Sequence, residues 1–494
     1  MFEKGGEGKM AVNTSFILNN DLLTTAESPG MVLVDFIRKN RRLVGSTVAC
    51  REGDCGACTV LMGELDGGEL CYRSITSCIS PLANAAGKHV LTVEGLGTHH
   101  MNPIQEIFGE FSATQCGFCT PGFIVSLAGF FLKSKKIEYQ DAIAAMDGNI
   151  CRCTGYKSIE RAAYELVRKY QMKVESGEDR ILSLVACGLV PEYFLRIPER
   201  LRAFEKSEKE ISEPLLKGPI SVGGGTDLFV QKPDTMFTSA LERMKYRQEM
   251  SGIKVENGFC EIGAATSIEE IGESPDIQKM FPNIKKYQRY FASTQIRQQA
   301  TLAGNIVNAS PIGDMSNFFL ALDAKLKIRK NGKLREVHLK DFYKGYKQID
   351  LQEGEIVQAI LFPVLESNSY FNFEKVSRRT HLDIASVNSS IHLKVDGDLI
   401  IHASVSVGGV AAIPLFMQRV SEYLLGKNLS VETIQEAADL GQVEISPISE
   451  VRGSASYKRL LFRQLFYAHF ITCFPKKICF EDLIQGSSKK GVQI

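Results

Sequence analysis

Eight of the thirteen cysteines in this 494-residue chain fall into two groups within its first third. Cys50, Cys55 and Cys58 lie in ACREGDCGACTV, a glycine-rich loop leading into a strand, and Cys78 or Cys71 completes the group. Their spacing, Cys-x4-Cys-x2-Cys, is that of a plant-type [2Fe–2S] site. Cys116 and Cys119 in TQCGFCTPG, with Cys151 and Cys153 in NICRCTGY, form a second quartet. Each quartet suits a one-electron cluster, and two such centres on one chain imply conduction of electrons between sites. Structural zinc is the competing occupant of both. Zinc usually takes two Cys-x2–4-Cys pairs, whereas here one loop carries three cysteines and the second group uses Cys-x-Cys.

Charge dictates what must surround such centres. Four thiolates around two irons leave a net negative cluster, so backbone N–H groups must point at the sulfurs, and Gly53 and Gly56 let the first loop wrap closely enough to deliver them. Cys71 sits inside a strand-like run, CYRSITS, whose alternation sets its side chain without reference to the loop. Cys78 opens the turn CISPL, where a residue can reach back. Cys78 is therefore the favoured fourth ligand, with Cys71 a small buried hydrophobe. In the second quartet each pair falls at a seam between helices, whose N-termini offer unpaired N–H donors. Four inward thiolates on two hairpins predict a closed, water-poor site.

The elements that must position these residues separate by texture. Residues 13–95 mix short β-like runs (Thr14–Asn19, Thr59–Met62, Val90–Glu94) with one helix after Pro29 that places Leu33, Phe36 and Ile37 on one face. Residues 96–172 read as a small helical bundle. Asn102-Pro103 opens one helix and Thr120-Pro121 another, Pro suiting the first helical position, and two more follow around Asp141–Met146 and Ser158–Tyr170. Residues 173–194, beginning KVESGEDR, read as a linker. A charged surface helix over Pro198–Glu213 opens a third region (195–366) of strands and glycine-rich turns. A fourth (367–480) has strand residues Asp398–Val407 and helices over Ile413–Leu425, Val431–Leu440 and Ser454–Ile471. The tail, QGSSKKGVQI, reads as disordered.

Composition narrows the function classes. Hydrophobic residues make up 44%, and 58 basic against 57 acidic residues give a net charge of +1. There is thus no electrostatic case for nucleic acid or an anionic membrane. The start, MFEKGGEGKM, lacks the apolar core of a secretory signal. The longest apolar run, Phe123–Leu132, is far short of the ~20 residues a membrane helix needs. Cysteines without an export signal argue against a disulfide framework. A soluble, cytoplasmic protein is expected.

In this order, ACREGDCGACTV, TQCGFCTPG and NICRCTGY resemble the iron–sulfur portion of the molybdenum hydroxylases, the xanthine dehydrogenase and aldehyde oxidase family. ISVGGGTDL (220–228), QIRQQATLAGNIVNASPIGD (295–314) and EKVSRRTHLDIASV (374–387) look like that family's flavin segments. The resemblance supports Cys78, because the family's fourth ligand precedes a Pro-containing turn. It implies FAD contacts at Val222, Gly223, Gly224, Gly225, Thr226, Asp227, Ala300, Thr301, Gly304, Asn305 and Asp314. Phe291 is implied near the flavin ring or adenine and Lys375 near the cofactor's edge. The large molybdopterin domains are absent from the chain, which therefore looks like the small subunit of a two-chain bacterial xanthine dehydrogenase. Such a subunit would pair with a large molybdopterin-binding subunit in an α2β2 assembly and pass electrons to NAD⁺.

Read physically, the flavin stretches are less specific. Gly223-Gly224-Gly225-Thr226 is a turn as readily as a phosphate cradle, and it is not the G-x-G-x-x-G of a Rossmann unit. In ATLAGNIVNASPIGD, polar side chains buried without a partner would cost about 1–3 kcal/mol each, which a polar ligand would relieve; a self-satisfied turn network is the alternative. Arg378-Arg379 reads as solvated surface or as a border of the NAD⁺ route, and His381 as an ordinary polar residue. The expected fold is multidomain α+β: a ferredoxin-like β-grasp domain, a four-helix [2Fe–2S]-binding bundle, an α+β FAD-binding domain and a C-terminal α/β flavoprotein subdomain. The expected activity is oxidation of hypoxanthine or xanthine to urate. Its rivals are a different molybdenum hydroxylase, a stand-alone iron–sulfur flavoprotein and a zinc-stabilised binding protein.

Overall fold

A computed structural model describes residues 13–97, 100–134, 136–177, 179–208, 219–379 and 382–485. The initial MFEKGGEGKM, His381 and all but the first residue of the QGSSKKGVQI tail lie outside that set. The chain forms two compact units. One comprises residues up to Arg243 together with Ser293–Gln299, and the other holds Met244–Ala292 and the residues from Ala300 onward.

The first unit begins with a five-stranded mixed sheet: β1 (Thr14–Leu18), β2 (Asp21–Thr25), β3 (Thr59–Asp66), β4 (Glu69–Thr76) and β5 (His89–Leu91), in the order β2-β1-β5-β3-β4. β1 and β5 run parallel while the other neighbours are antiparallel. β3 and β4 are joined by Gly67-Gly68, both at positive φ, the two-residue turn that matches the twist of a hairpin. One sheet face packs on the segment after Pro29. Leu33, Phe36 and Ile37 are buried there with Phe16, Leu18, Val60, Met62 and Val90. This segment starts as an α-turn and continues as a π-helical turn over Phe36–Asn40. The result is the ferredoxin-like β-grasp expected from the sequence.

Four helices follow at Pro103–Glu110, Thr120–Lys133, Tyr139–Ala145 and Lys157–Glu175. Asn102 closes a capping box with Gln105 ahead of Pro103, which supplies two otherwise orphaned donors with acceptors. The Thr120–Lys133 helix is buried from Gly122 to Leu132 and packs against β3 and β4. A Cβ at Gly129 would lie 2.7 Å from both Leu61 and Ser74, so only glycine lets the helix approach that closely.

The stretch expected as a linker is structured. The fourth bundle helix runs on to Glu175, a capped helix follows over Arg180–Ala186, and Val174, Leu184, Leu189, Val190 and Phe194 are buried in the bundle core. The polar run KVESGEDR obscured these apolar residues, whose burial anchors the segment. The expected 195–366 domain is likewise divided between the units. Ile197 and Leu201 pack on Ile17, while Val222, Phe229 and Met236 share a core with Cys58, Cys78 and Ile79. Residues 195–243 therefore belong with the cysteine-bearing unit.

The second unit has two larger antiparallel sheets beside a short hairpin of Tyr343–Gly345 and Gln348–Ile349. One is ordered Lys333–His338, Lys325–Lys330, Ile356–Pro363, Phe259–Gly263, Ile253–Glu256; the other runs Ser369–Val376, Val387–Asp396, Leu399–Gly408, Leu415–Phe416. Helices Gln418–Leu424, Val431–Glu444 and Ala455–Cys473 cover the latter around Phe462, Phe466 and Phe470. A buried polar chain crosses this unit. The Tyr287 hydroxyl donates to Asn372 Oδ1 (3.1 Å), Asn372 Nδ2 donates to His469 Nδ1 (3.0 Å), and His469 Nε2 donates to Ser389 Oγ (3.0 Å).

His469 is fully buried, and burial holds its pKa down at about 3. The unfolded value is about 6.5, so the unfolded state binds the extra proton between those limits. The histidine's contribution to stability is therefore complete above about pH 6.5 and is lost as pH falls toward 3. The stability advantage of the wild type over H469Q should shrink by up to about 1.4 kcal/mol per pH unit between pH 6 and 4. Urea unfolding at stepped pH, followed in both proteins, measures the difference; a pH-independent gap would show that His469 does not titrate on unfolding.

Candidate iron–sulfur and flavin sites

The first cysteine loop is shaped by backbone conformations that favour glycine. Gly53 and Gly56 have φ of +79° and +66°, and a Cβ on Gly56 would lie 2.4 Å from Gly148 O. Side-chain hydrogen bonds link Cys50 to both Cys55 and Cys78, and Cys78 to Cys58. The structure thus brings Cys78 to Cys50 and Cys58, with Cys55 on the other side of Cys50. Cys71 stands opposite Glu64 on the hairpin, with Asp66, Arg73 and Glu69 as its electrostatic neighbours, and it is half-buried rather than buried.

Backbone groups of Glu52 and Cys55 bond the Cys50 sulfur, that of Ala57 bonds Cys55, and that of Cys78 bonds Cys58. The bonds to Cys55 and Cys78 pull the Cys50 thiol far below the usual cysteine range, while the same bonds push Cys55 and Cys78 well above it. Four sulfurs this close cannot all ionise without positive charge among them, a charge that the irons of a bound cluster would supply. The donor set and its aimed amides fit a cluster. Arg51 ties the loop to the core helix through a 2.9 Å ion pair with Asp35.

In the second quartet, Cys153 Sγ lies 3.6 Å from Cys116 Sγ, and Cys119 bonds Cys151. Burial raises the Cys119 thiol to about 12. Burial also opposes ionisation of Cys151, but the Thr154 hydroxyl (3.1 Å) and N–H (3.4 Å) donate to its sulfur and hold it below the usual range. The Tyr156 hydroxyl accepts from Cys151 N–H at 3.0 Å. Cys119 is the N-cap of the 14-residue Thr120–Lys133 helix, placing helix N–H groups beside the sulfurs. The expectation of a closed site fails: Cys116 and Cys153 are exposed, flanked by exposed Phe118 and Tyr156. Turns at Gly117 and Gly155 carry these cysteines to the end of the bundle, beyond its core. Among the described residues no three His, Cys, Asp or Glu side chains are arranged for a single metal ion; the sulfurs sit at hydrogen-bond range of one another instead.

The two quartets are joined through backbone. Ile150 N–H, one residue before Cys151, donates to Cys55 O at 3.0 Å, and the Thr47 hydroxyl donates to Phe118 O at 2.7 Å. On its other side the first quartet abuts the glycine loop. β6 (Ile220–Val222) runs parallel to β7 (Leu241–Arg243) and ends in Gly223–Thr226, with Gly225 at φ +82°. Gln299 Nε2 donates both to Gly224 O (2.7 Å) and to Ile79 O (3.2 Å), next to Cys78.

The remaining flavin candidates lie in the second unit. The Thr301 hydroxyl accepts from Gly304 N–H and caps the Leu302–Val307 helix. Asn305 Oδ1 accepts from Ser316 N–H and Ser310 Oγ from Ile312 N–H. Asp314 accepts from Lys375 Nζ at 2.7 Å and Asn388 Nδ2 at 2.6 Å, and Lys375 also donates to Tyr290 O. Ala300 O accepts from Ile268 N–H, and Phe291 is buried. These polar side chains satisfy one another, so the argument that they would otherwise lack partners does not apply. A Cβ at Gly304 would meet only Thr301 Oγ1, which leaves that backbone open to close approach. Arg378 donates to Val451 O and Arg379 pairs with Asp383, so both arginines tie loops of their own unit.

Sequence reasoning did not single out Asn149, Gln299 or Asn388. The available signal was the run Gln295–Gln299, in which four of the five residues are polar and nearly fully buried.

Comparison with known proteins agrees with this geometry. Residues 92–164 match the [2Fe-2S] binding domain, 210–365 the FAD binding domain in molybdopterin dehydrogenase, and 372–473 the CO dehydrogenase flavoprotein C-terminal domain. Xanthine dehydrogenase 1 of Arabidopsis thaliana is 26% identical over 89% of this chain and 38% of its own length. Xanthine dehydrogenase of Emericella nidulans is 28% identical over 92% of this chain and 38% of its own. The chain thus spans about two fifths of the length of these relatives. A carbon monoxide dehydrogenase from Hydrogenophaga pseudoflava that lacks the Mo-pyranopterin moiety of its cofactor shares the fold over 53% of this chain and 92% of its own, with TM-score 0.50 at 24% identity. These matches make the chain similar to the iron–sulfur and FAD portion of the molybdenum hydroxylases.

The Lys375–Asp314 pair is almost wholly buried. K375M should destabilise the second unit by about 3–5 kcal/mol, because it strands a buried carboxylate. Thermal unfolding of the flavin-free protein reads this out, and an unchanged melt would mean that Asp314 is not held by the pair.

Proposed function

We propose that this chain carries electrons from a molybdopterin site on a partner subunit, through two [2Fe–2S] clusters, to FAD and on to NAD⁺, in support of hypoxanthine and xanthine oxidation to urate. Clusters pass one electron at a time, while a flavin gathers two for delivery as hydride. Cys50, Cys55, Cys58 and Cys78 would hold one cluster, and Cys116, Cys119, Cys151 and Cys153 the other. FAD contacts are assigned to Val222, Gly223, Gly224, Gly225, Thr226, Asp227, Phe291, Ala300, Thr301, Gly304, Asn305, Asp314 and Lys375.

The observation that carries the reading is a continuous line of contacts inside the first unit. It starts at the exposed Cys116 and Cys153, passes Cys119 and Cys151, and crosses from Ile150 N–H to Cys55 O. From Cys78 and Ile79 it reaches Gly224 through the Gln299 amide. The residues along this line hold sulfur positions, aim amides and keep the gaps short; no acid–base group is needed among them. The open end at Cys116 and Cys153, with Phe118 and Tyr156 exposed beside it, suits a partner chain that brings the molybdenum site. By resemblance, two copies of each chain assemble.

The native complex should contain molybdenum, one FAD and about four irons per copy of this chain, two for each filled quartet. C78S should lose half the iron and C71S none, as measured on purified protein by metal analysis and visible absorption. C116S with C151S should abolish xanthine-driven NADH formation yet leave NADH-dependent dye reduction intact. Iron lost from C71S but not C78S would overturn the first ligand set. Xanthine turnover surviving the double replacement would overturn the route.

A further inference from the structure

We propose that Asn149 is a positioning residue that sets the separation of the two cysteine quartets, and with it the electronic coupling between their clusters. The inference rests on the two-cluster reading above. Asn149 is buried at 5% exposure, two residues before Cys151. Its Nδ2 donates to Gly56 O at 3.0 Å, midway along the Cys55–Cys58 segment. Its Oδ1 accepts from Ser126 Oγ at 2.7 Å, on the helix that Cys119 caps, and from Gln295 Nε2 at 3.2 Å. Gln295 Nε2 also donates to Ser126 Oγ at 3.2 Å. One side chain therefore ties the loop of the first quartet to both halves of the second.

Satisfying Gly56 is not the reason for the contact. Gly56 O already accepts from Thr59 N–H at 3.1 Å and from the Thr59 hydroxyl at 2.6 Å. What Asn149 adds is the cross-link between loops. Three glycines clear the space around it. A Cβ on Gly56 would lie 2.4 Å from Gly148 O, one on Gly122 2.3 Å from Gly56 O, and one on Gly148 2.0 Å from Gln295 Oε1. The loops thus approach at backbone contact. Gln295 Oε1, fully buried, has no hydrogen-bond partner, so the amide is spent on Asn149 and Ser126 at the expense of its own carbonyl. The amide fixes a distance, and the rate of electron passage between two centres falls steeply with distance.

The test uses the full chain with its native partner, reduced with dithionite and examined by low-temperature electron paramagnetic resonance. Two cluster signals with spin–spin splitting are expected in the wild type. N149A should keep its iron and flavin but lose the resolved splitting, and electron transfer between the clusters after rapid mixing should slow. N149A with full iron and unaltered splitting overturns the proposal. Should N149A fail to retain iron, Q295A, which leaves the Gly56 bond in place, serves instead; a narrowed splitting supports the proposal and an unchanged one overturns it. A wild-type protein with only one cluster signal would defeat the two-cluster reading itself, an outcome distinct from either variant result.

Discussion

The first unit depends on how closely two cysteine quartets can be brought together at backbone contact. Residues 149–150 lie against residues 55–56 at backbone contact, held by the Ile150–Cys55 and Asn149–Gly56 hydrogen bonds. Electrostatics alone would oppose this arrangement, because each quartet would concentrate negative charge if it held a cluster. Aimed N–H groups, the N-terminus of the Thr120–Lys133 helix and the Arg51 guanidinium offset it locally. The β-grasp sheet and the bundle then serve as rigid holders on either side. Their interface is set by Gly129, which lets the long buried helix lie directly on β3 and β4.

The same economy appears where the first quartet meets the glycine loop. Cys58 and Cys78 share an apolar core with Val222 and Phe229, so the sulfur side of the ferredoxin-like domain and the end of β6 are one packed body. Ser293–Gln299 joins that body through Ile296, which packs on its apolar core, and through polar contacts: Thr294 and Arg297 to Asp147, Gln295 to Asn149, and Gln299 to Ile79 and Gly224. The donors of this run find partners of fixed direction, which lowers the cost of burying them. Directional bonds hold a spacing more sharply than apolar packing does. In the second unit, the Tyr287–Asn372–His469–Ser389 chain and the Lys375–Asp314–Asn388 cluster apply the same principle to strands and helices that meet across its core.

Much of the fold was legible because the local signals were strong and agreed. Asn102-Pro103 and Thr120-Pro121 open helices where capping chemistry says they should, and Leu33, Phe36 and Ile37 face the core as their spacing requires. Illegible features were those that depend on long-range partners. The run 173–194 looked like a linker because it opens on the polar stretch KVESGEDR, yet Leu184, Leu189 and Phe194 dock into the bundle core. The second quartet looked enclosed because spacing says nothing about which end of a bundle a turn occupies. Asn305 and Asp314 looked in need of a ligand because their protein partners, Ser316 and Lys375, lie 11 and 61 residues away.

Sequence by itself marked which residues could carry the chemistry, since cysteine spacing in a short loop limits ligation whatever the rest of the chain does. It also determined the order of the domains, because periodicity and capping are local. Tertiary structure decided which cysteine completes the first quartet, how near the quartets lie, and that Gln299 links the Cys78 turn to the glycine loop. Those are distances between segments as many as 220 residues apart. They are set by packing of whole elements and by glycines whose necessity appears only when the opposing backbone is in place.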